Sequence, residues 1–156
     1  MRVFALTVLL IAGVSFELAA QAVPYNIDRR PQPRGTVLDS LLPQVVGPFR
    51  RVSFAPRTPV PVNQILVLRY GAGADSILLA FRIPGRPEDA QASVKDARDK
   101  ARGRKIDLKG ADYDGGQDPS YFRTDRTMAW SRGGYYFSAE ASSQGALDRF
   151  MPAFPF

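Results

Sequence analysis

The chain has 156 residues, 45% hydrophobic and 23% charged, with 21 Lys and Arg against 15 Asp and Glu and a formal net charge of +6. It contains no cysteine and no histidine. Those absences exclude disulfides, a lipid-modified N-terminal cysteine, thiolate metal sites, cysteine nucleophiles and every catalytic arrangement that uses imidazole as its base.

Residues 1–22 read as a secretory signal peptide. Arg2 gives a positive start, Val3 to Phe16 form an uncharged apolar run, and Ala20-Gln21-Ala22 supplies the small-x-small pattern of a cleavage site. The run of about 14 residues falls short of the roughly 20 needed to span a bilayer, and Glu17 ends it. Cleavage is expected after Ala22, with Ala20 as the alternative, and the destination is the periplasm or the medium. The competing reading is a membrane anchor formed by an uncleaved segment 3–16. Val23 to Gly35 (VPYNIDRRPQPRG) mixes proline and arginine without apolar periodicity, so residues 23–35 are expected to be an exposed linker. Residues 36–156 are then one globular domain, with enough chain for a single core.

Thr36 is placed to cap a short helix carrying Leu38, Leu41 and Leu42, with Pro43 closing it. Phe49 to Ala55 (FRRVSFA) alternates as a strand, with Val52 and Phe54 on one face and Arg51 and Ser53 on the other. After a proline-rich connection, Ile65 to Tyr70 and Ser76 to Ile83 are apolar on both faces and are joined by Gly71-Ala72-Gly73-Ala74-Asp75, which predicts a central hairpin. Pro87 with Glu88 and Asp89 opens a helix to about Arg102, whose Ala90, Val94, Ala97 and Ala101 make a narrow inner stripe and whose Lys95, Arg98, Lys100 and Arg102 fall on the outside.

Lys109 to Ser120 is polar and reads as a loop. Tyr121 to Thr124, Thr127 to Arg132 and Tyr135 to Ala141 read as a three-strand meander. A two-residue turn at Gly133-Gly134 sets Arg132 opposite Tyr135, Trp130 opposite Phe137 and Met128 opposite Ala139. Ser143 then caps a helix bearing Ala146, Leu147, Phe150 and Met151, which Pro152 stops, and the apolar C-terminus is expected to dock on the core. The order strand, hairpin, helix, three-strand meander, helix predicts an α+β fold, an antiparallel β-sheet with its helices packed on one face.

Four groups of residues carry possible chemistry. Asp112, Asp114 and Asp118 surround two glycines and offer hard oxygen ligands for calcium, but the glutamate that closes an EF-hand is missing, so the alternative is a solvated turn. Gly71-Ala72-Gly73 is followed by a strand rather than a helix and reads as a turn, not a phosphate cradle. Arg98, Arg102 and Arg104 with Lys105 and Lys109 form the densest basic cluster, a candidate for an anionic glycan or lipid surface or else a solvated helix face. Tyr136 lies on the strand face opposite Tyr135 and Phe137, so it is the candidate for stacking on a ligand unless a helix covers it.

No nucleic-acid-binding pattern accompanies the basic residues, and no cofactor is implied. The expected function is a non-enzymatic exported domain that binds another cell-envelope component, an envelope protein or an anionic glycan or lipid. The alternatives are a small hydrolase working through Asp and Glu, and an envelope protein tethered by its uncleaved N-terminus.

Overall fold

A computed structural model describes residues 27–53, 59–103 and 121–156. In chain order these contain a 3-10 turn (Ile27–Arg29), α1 (Leu38–Leu41), β1 (Val45–Val46), β2 (Phe49–Arg51), β3 (Ile65–Ala72), β4 (Asp75–Arg82), α2 (Glu88–Gly103), β5 (Tyr121–Arg123), β6 (Thr127–Arg132), β7 (Tyr135–Ala141) and α3 (Gln144–Ala153). The strands form one antiparallel sheet in the order β1-β2-β3-β4-β7-β6-β5, so the fold is α+β as the sequence implies. Residues 1–26, which hold the signal pattern, lie outside the described residues, as do 54–58 and 104–120.

The β3–β4 hairpin aligns Leu66 with Phe81, Leu68 with Leu79 and Tyr70 with Ile77. The β6–β7 hairpin pairs Trp130 with Phe137 and Met128 with Ala139, the register set by Gly133 and Gly134, both at positive φ. Pairing of Phe81 with Phe137 and Leu79 with Ala139 joins the hairpins, so these side chains line one continuous face. Trp130 stacks on Phe137 at 5.2 Å and 11°, and Phe154 meets both edge-on. Helix α3 covers this face. Ser143 caps it by accepting from Ala146 N–H at 3.1 Å, and Phe150 packs against Phe49 and Tyr70. The helix runs one residue past Pro152 to Ala153, and Phe154 N–H closes the last turn on the Phe150 carbonyl at 3.0 Å.

The helices do not share a face. Helix α2 packs on β6, β5 and β7 through Val94 and Ala101 against Phe122, with Tyr136 beside them. Phe122 and Tyr136 alternate with the residues under α3, so α2 lies on the opposite side of the sheet. The sequence cannot separate the two arrangements, because both helices have one apolar side.

Three further expectations change. In β2 it is Phe49 and Arg51 that turn toward the core, while Val52 is exposed. The buried Arg51 is satisfied by the Leu42 carbonyl at 2.8 Å and by Asp39 at 2.6 Å, and that hydrogen bond holds the Asp39 carboxyl below its usual range. Val37, not Thr36, occupies the N-cap of α1 and makes no side-chain cap bond; the Thr36 carbonyl instead accepts from Val60 N–H at 3.0 Å. The described part of the expected linker is only partly exposed, since Ile27 is buried in the core. Arg30 donates to the carbonyls of Phe154 and Phe156, Arg132 donates to the Arg30 carbonyl, and the Tyr135 hydroxyl donates to the Gly35 carbonyl.

Tyr70 is buried with its hydroxyl donating to the Pro43 carbonyl at 2.8 Å, and burial pushes its phenol up to about 12. The unfolded phenol ionises near 10. Stability from this group is therefore complete below pH 10 and is lost as pH rises toward 12, a loss on the order of 2–3 kcal/mol. Urea unfolding of the wild type and of Tyr70→Phe should show the variant about 1 kcal/mol less stable at neutral pH. The gap should narrow and then reverse across that alkaline window; parallel curves would contradict it.

Candidate functional site

The α2 face of the sheet is built in rows that the strand register fixes. Glu140, Leu78 and Arg69 lie side by side across β7, β4 and β3, and Ser138, Ala80 and Val67 form the next row. Tyr136, Arg82 and Ile65 follow. Val52 N–H donates to the Arg69 carbonyl at 2.8 Å, extending the first row into the chain after β2. Arg50 lies beside Gly71 and Val45 beside Arg50, which carries the same face to the β1 edge.

Helix α2 covers only the β5–β7 half. Its contact stripe is mostly alanine, which allows close approach but fills little volume. At its C-terminal end a cleft of 540 Å³ remains, with Ala97, Ala101, Phe122 and Ala129 as apolar walls and Lys100, Arg126 and Glu140 among its polar lining. Arg82 holds the other end by donating to Ser93 Oγ and, at 3.4 Å, to the Asp89 carbonyl. Its guanidinium lies 5.9 Å from the centre of the Tyr136 ring.

Tyr136 therefore sits half-buried beside α2 and not on an open surface. Burial pushes its phenol up, opposed by a hydrogen bond to Ser138 and by attraction to Arg82. Arg98 is also placed differently from the outer face expected of it. It follows Val94 by four residues, which turns it toward the sheet, where it is buried and pairs through Nε with Asp99 Oδ1 at 3.1 Å. Its aliphatic stem supplies covering area that the neighbouring alanines lack. Arg104, Asp112, Asp114 and Asp118 lie outside the described residues, as does the side chain of Arg102. Among the described residues no group of three or more Asp and Glu is placed to hold a metal ion.

The β1–β4 half of the same face has no helix over it among the described residues. Val45, Val52, Ile65, Val67 and Leu78 are exposed there by 51%, 62%, 59%, 53% and 41%. Sequence reasoning did not single out this surface, although a signal was present. Two strands apolar on both faces need cover on both sides, and one alanine-striped helix is too narrow to cover a seven-stranded sheet.

No protein-family model matches the chain, and neither a curated protein nor a solved structure is similar to it.

The two halves of this face should respond differently to truncation. Val67→Thr should change stability by no more than about 0.5 kcal/mol, as for an exposed position. Phe122→Ala, beneath α2, should cost about 3 kcal/mol. Urea midpoints measure both, and comparable costs would mean that the β3–β4 surface is covered in solution.

Proposed function

We propose that the chain is an exported, non-enzymatic domain that binds another component of the cell envelope. The observation that carries this reading is the half of the α2 face over which no described helix lies, where five aliphatic side chains share one exposed surface. An apolar area of that kind on a single sheet face is the usual mark of an interaction site. Two arginines, Arg50 and Arg69, lie among these side chains and have no carboxylate partner among the described residues. Export is supported by the charged, apolar and small-residue segments of residues 1–22, and a chain without cysteine needs no oxidative step to fold after crossing the membrane.

Binding is preferred to catalysis because several of the described acids are engaged by arginines. The carboxylate of Asp39 is committed to Arg51 and that of Asp75 to Arg149, while Asp148 pairs with Arg123. Asp125 and Glu140 do line one cleft, beside α2, but they share it with Lys100 and Arg126.

Two measurements test the reading together. N-terminal sequencing of the chain recovered from the envelope compartment should begin at Val23. The exported form should also capture a component from solubilised envelope extract, and Val67→Asp should remove that capture while leaving the fold intact. Recovery only in the cytosol, or capture indifferent to Val67→Asp, would overturn it.

A further inference from the structure

We propose that the open β2–β4 half of the α2 face is a docking groove for one amphipathic helix of a partner protein, a helix whose apolar stripe is bordered by Asp or Glu. The inference rests on the binding function proposed above and specifies the chemistry of the partner.

The floor of the groove is largely aliphatic, with Leu78, Ala80 and Val67 in adjacent rows, Ile65 one row further along β3 and Val52 on the outer side, across Arg69 from Leu78. Its width follows from the sheet. Neighbouring strands lie about 4.8 Å apart, so at the Arg69–Gly71 end β4, β3 and the chain of β2 and Val52 present roughly the 10 Å that one helix covers, and β3 and β4 continue the floor beyond it.

Its depth follows from α2. That helix stands about 10 Å above the β5–β7 half of the same face, so the aliphatic floor lies at the foot of a step. A flat bilayer meets α2 before it reaches Val67. Among the described residues nothing stands between the floor and a helix laid alongside α2, which would complete the layer that α2 begins.

Charge selects the kind of helix. Arg50 and Arg69 stand among the aliphatic side chains, and neither has a carboxylate partner among the described residues. The acidic residue of the floor rows, Glu140, lies at the opposite border, on β7. A helix with carboxylates along the flank over β2 and β3 would pair with both arginines. A second copy of this chain would bring the same arginines toward the same face and set like charges together.

The test uses the exported form of the full chain and two synthetic peptides of about five helical turns, with identical leucine stripes and either Glu or Lys on the flanks. Fluorescence anisotropy should show the Glu peptide binding at least about tenfold more tightly than the Lys peptide. Val67→Asp should abolish that binding, and Arg50→Glu combined with Arg69→Glu should invert the preference; all three positions are on the surface, and circular dichroism verifies that the variants fold. Failure of the Glu peptide to bind, equal binding of the two, or indifference to these substitutions overturns the proposal. So does binding to phosphatidylglycerol vesicles that Val67→Asp abolishes in the absence of peptide binding, which makes the face a lipid surface. A concentration-dependent dimer dispersed by Val67→Asp overturns it in favour of self-association. Peptide discrimination by a chain found only in the cytosol would instead remove the envelope reading and leave the helix groove standing.

Discussion

Both ends of the described chain converge on the stack of Trp130 against Phe137. Phe154 meets both rings edge-on, Phe156 stacks on Phe137 at 6.3 Å, and the Phe156 carbonyl accepts from Trp130 Nε1 at 3.1 Å. Arg30 donates to the same carbonyl, and Arg132 holds the Arg30 carbonyl in turn. In a chain with no cysteine, these contacts do by packing and hydrogen bonding what a cross-link does in many other small domains. The aromatic residues supply the area, and their carbonyl partners fix where the ends lie.

Concentrating that bulk under α3 leaves the opposite side of the sheet thin. Helix α2 meets it with Ala90, Val94 and Ala101, and even with the stem of Arg98 added, a cleft remains at its C-terminal end. The β3–β4 hairpin is nonetheless apolar on that side too, through Ile65, Val67 and Leu78. The imbalance is one fact seen from two sides. A tightly packed face carries stability, and its reverse offers aliphatic surface that the described chain does not cover.

The parts of this architecture that were legible in the sequence are those set by neighbours along the chain. Gly133-Gly134 fixed the β6–β7 register to the residue, and Ser143 marked the start of α3 through a bond that reaches only to Ala146. The misplaced parts depend on residues distant in sequence. Whether α2 lies on the same face as α3 is decided by packing against β5, β6 and β7. The phase of β2 was misread because Arg51 looked like a solvent-facing residue, and only the Leu42 carbonyl and Asp39 make it an inward one. Arg98 shows the same effect on a helix, where a charge at a contact position is tolerated once Asp99 pairs with it and its stem lies along the sheet. Tyr136 was assigned correctly to the face opposite Phe137; its cover by α2 is again a matter of tertiary placement.

Ion pairing bears on how the net +6 acts, and helix α2 pairs its own charges, Arg98 with Asp99 and Lys100 with Asp96. Near α3 and α1, arginine is matched by acid: Arg123 pairs with Asp148, Arg149 with Asp75 and Arg51 with Asp39. On the open half of the sheet, Arg50 and Arg69 project among valines without such partners among the described residues. Part of the surplus is therefore displayed at one place and not spread evenly. Its surroundings strengthen it, because an arginine beside aliphatic groups that a partner would bury meets an acid in a medium of lower effective dielectric than open water. The same arginines oppose self-association, since a lone guanidinium buried against another is penalised by desolvation and repulsion together. An apolar surface marked in this way discriminates among partners by charge, while its aliphatic area supplies most of the affinity.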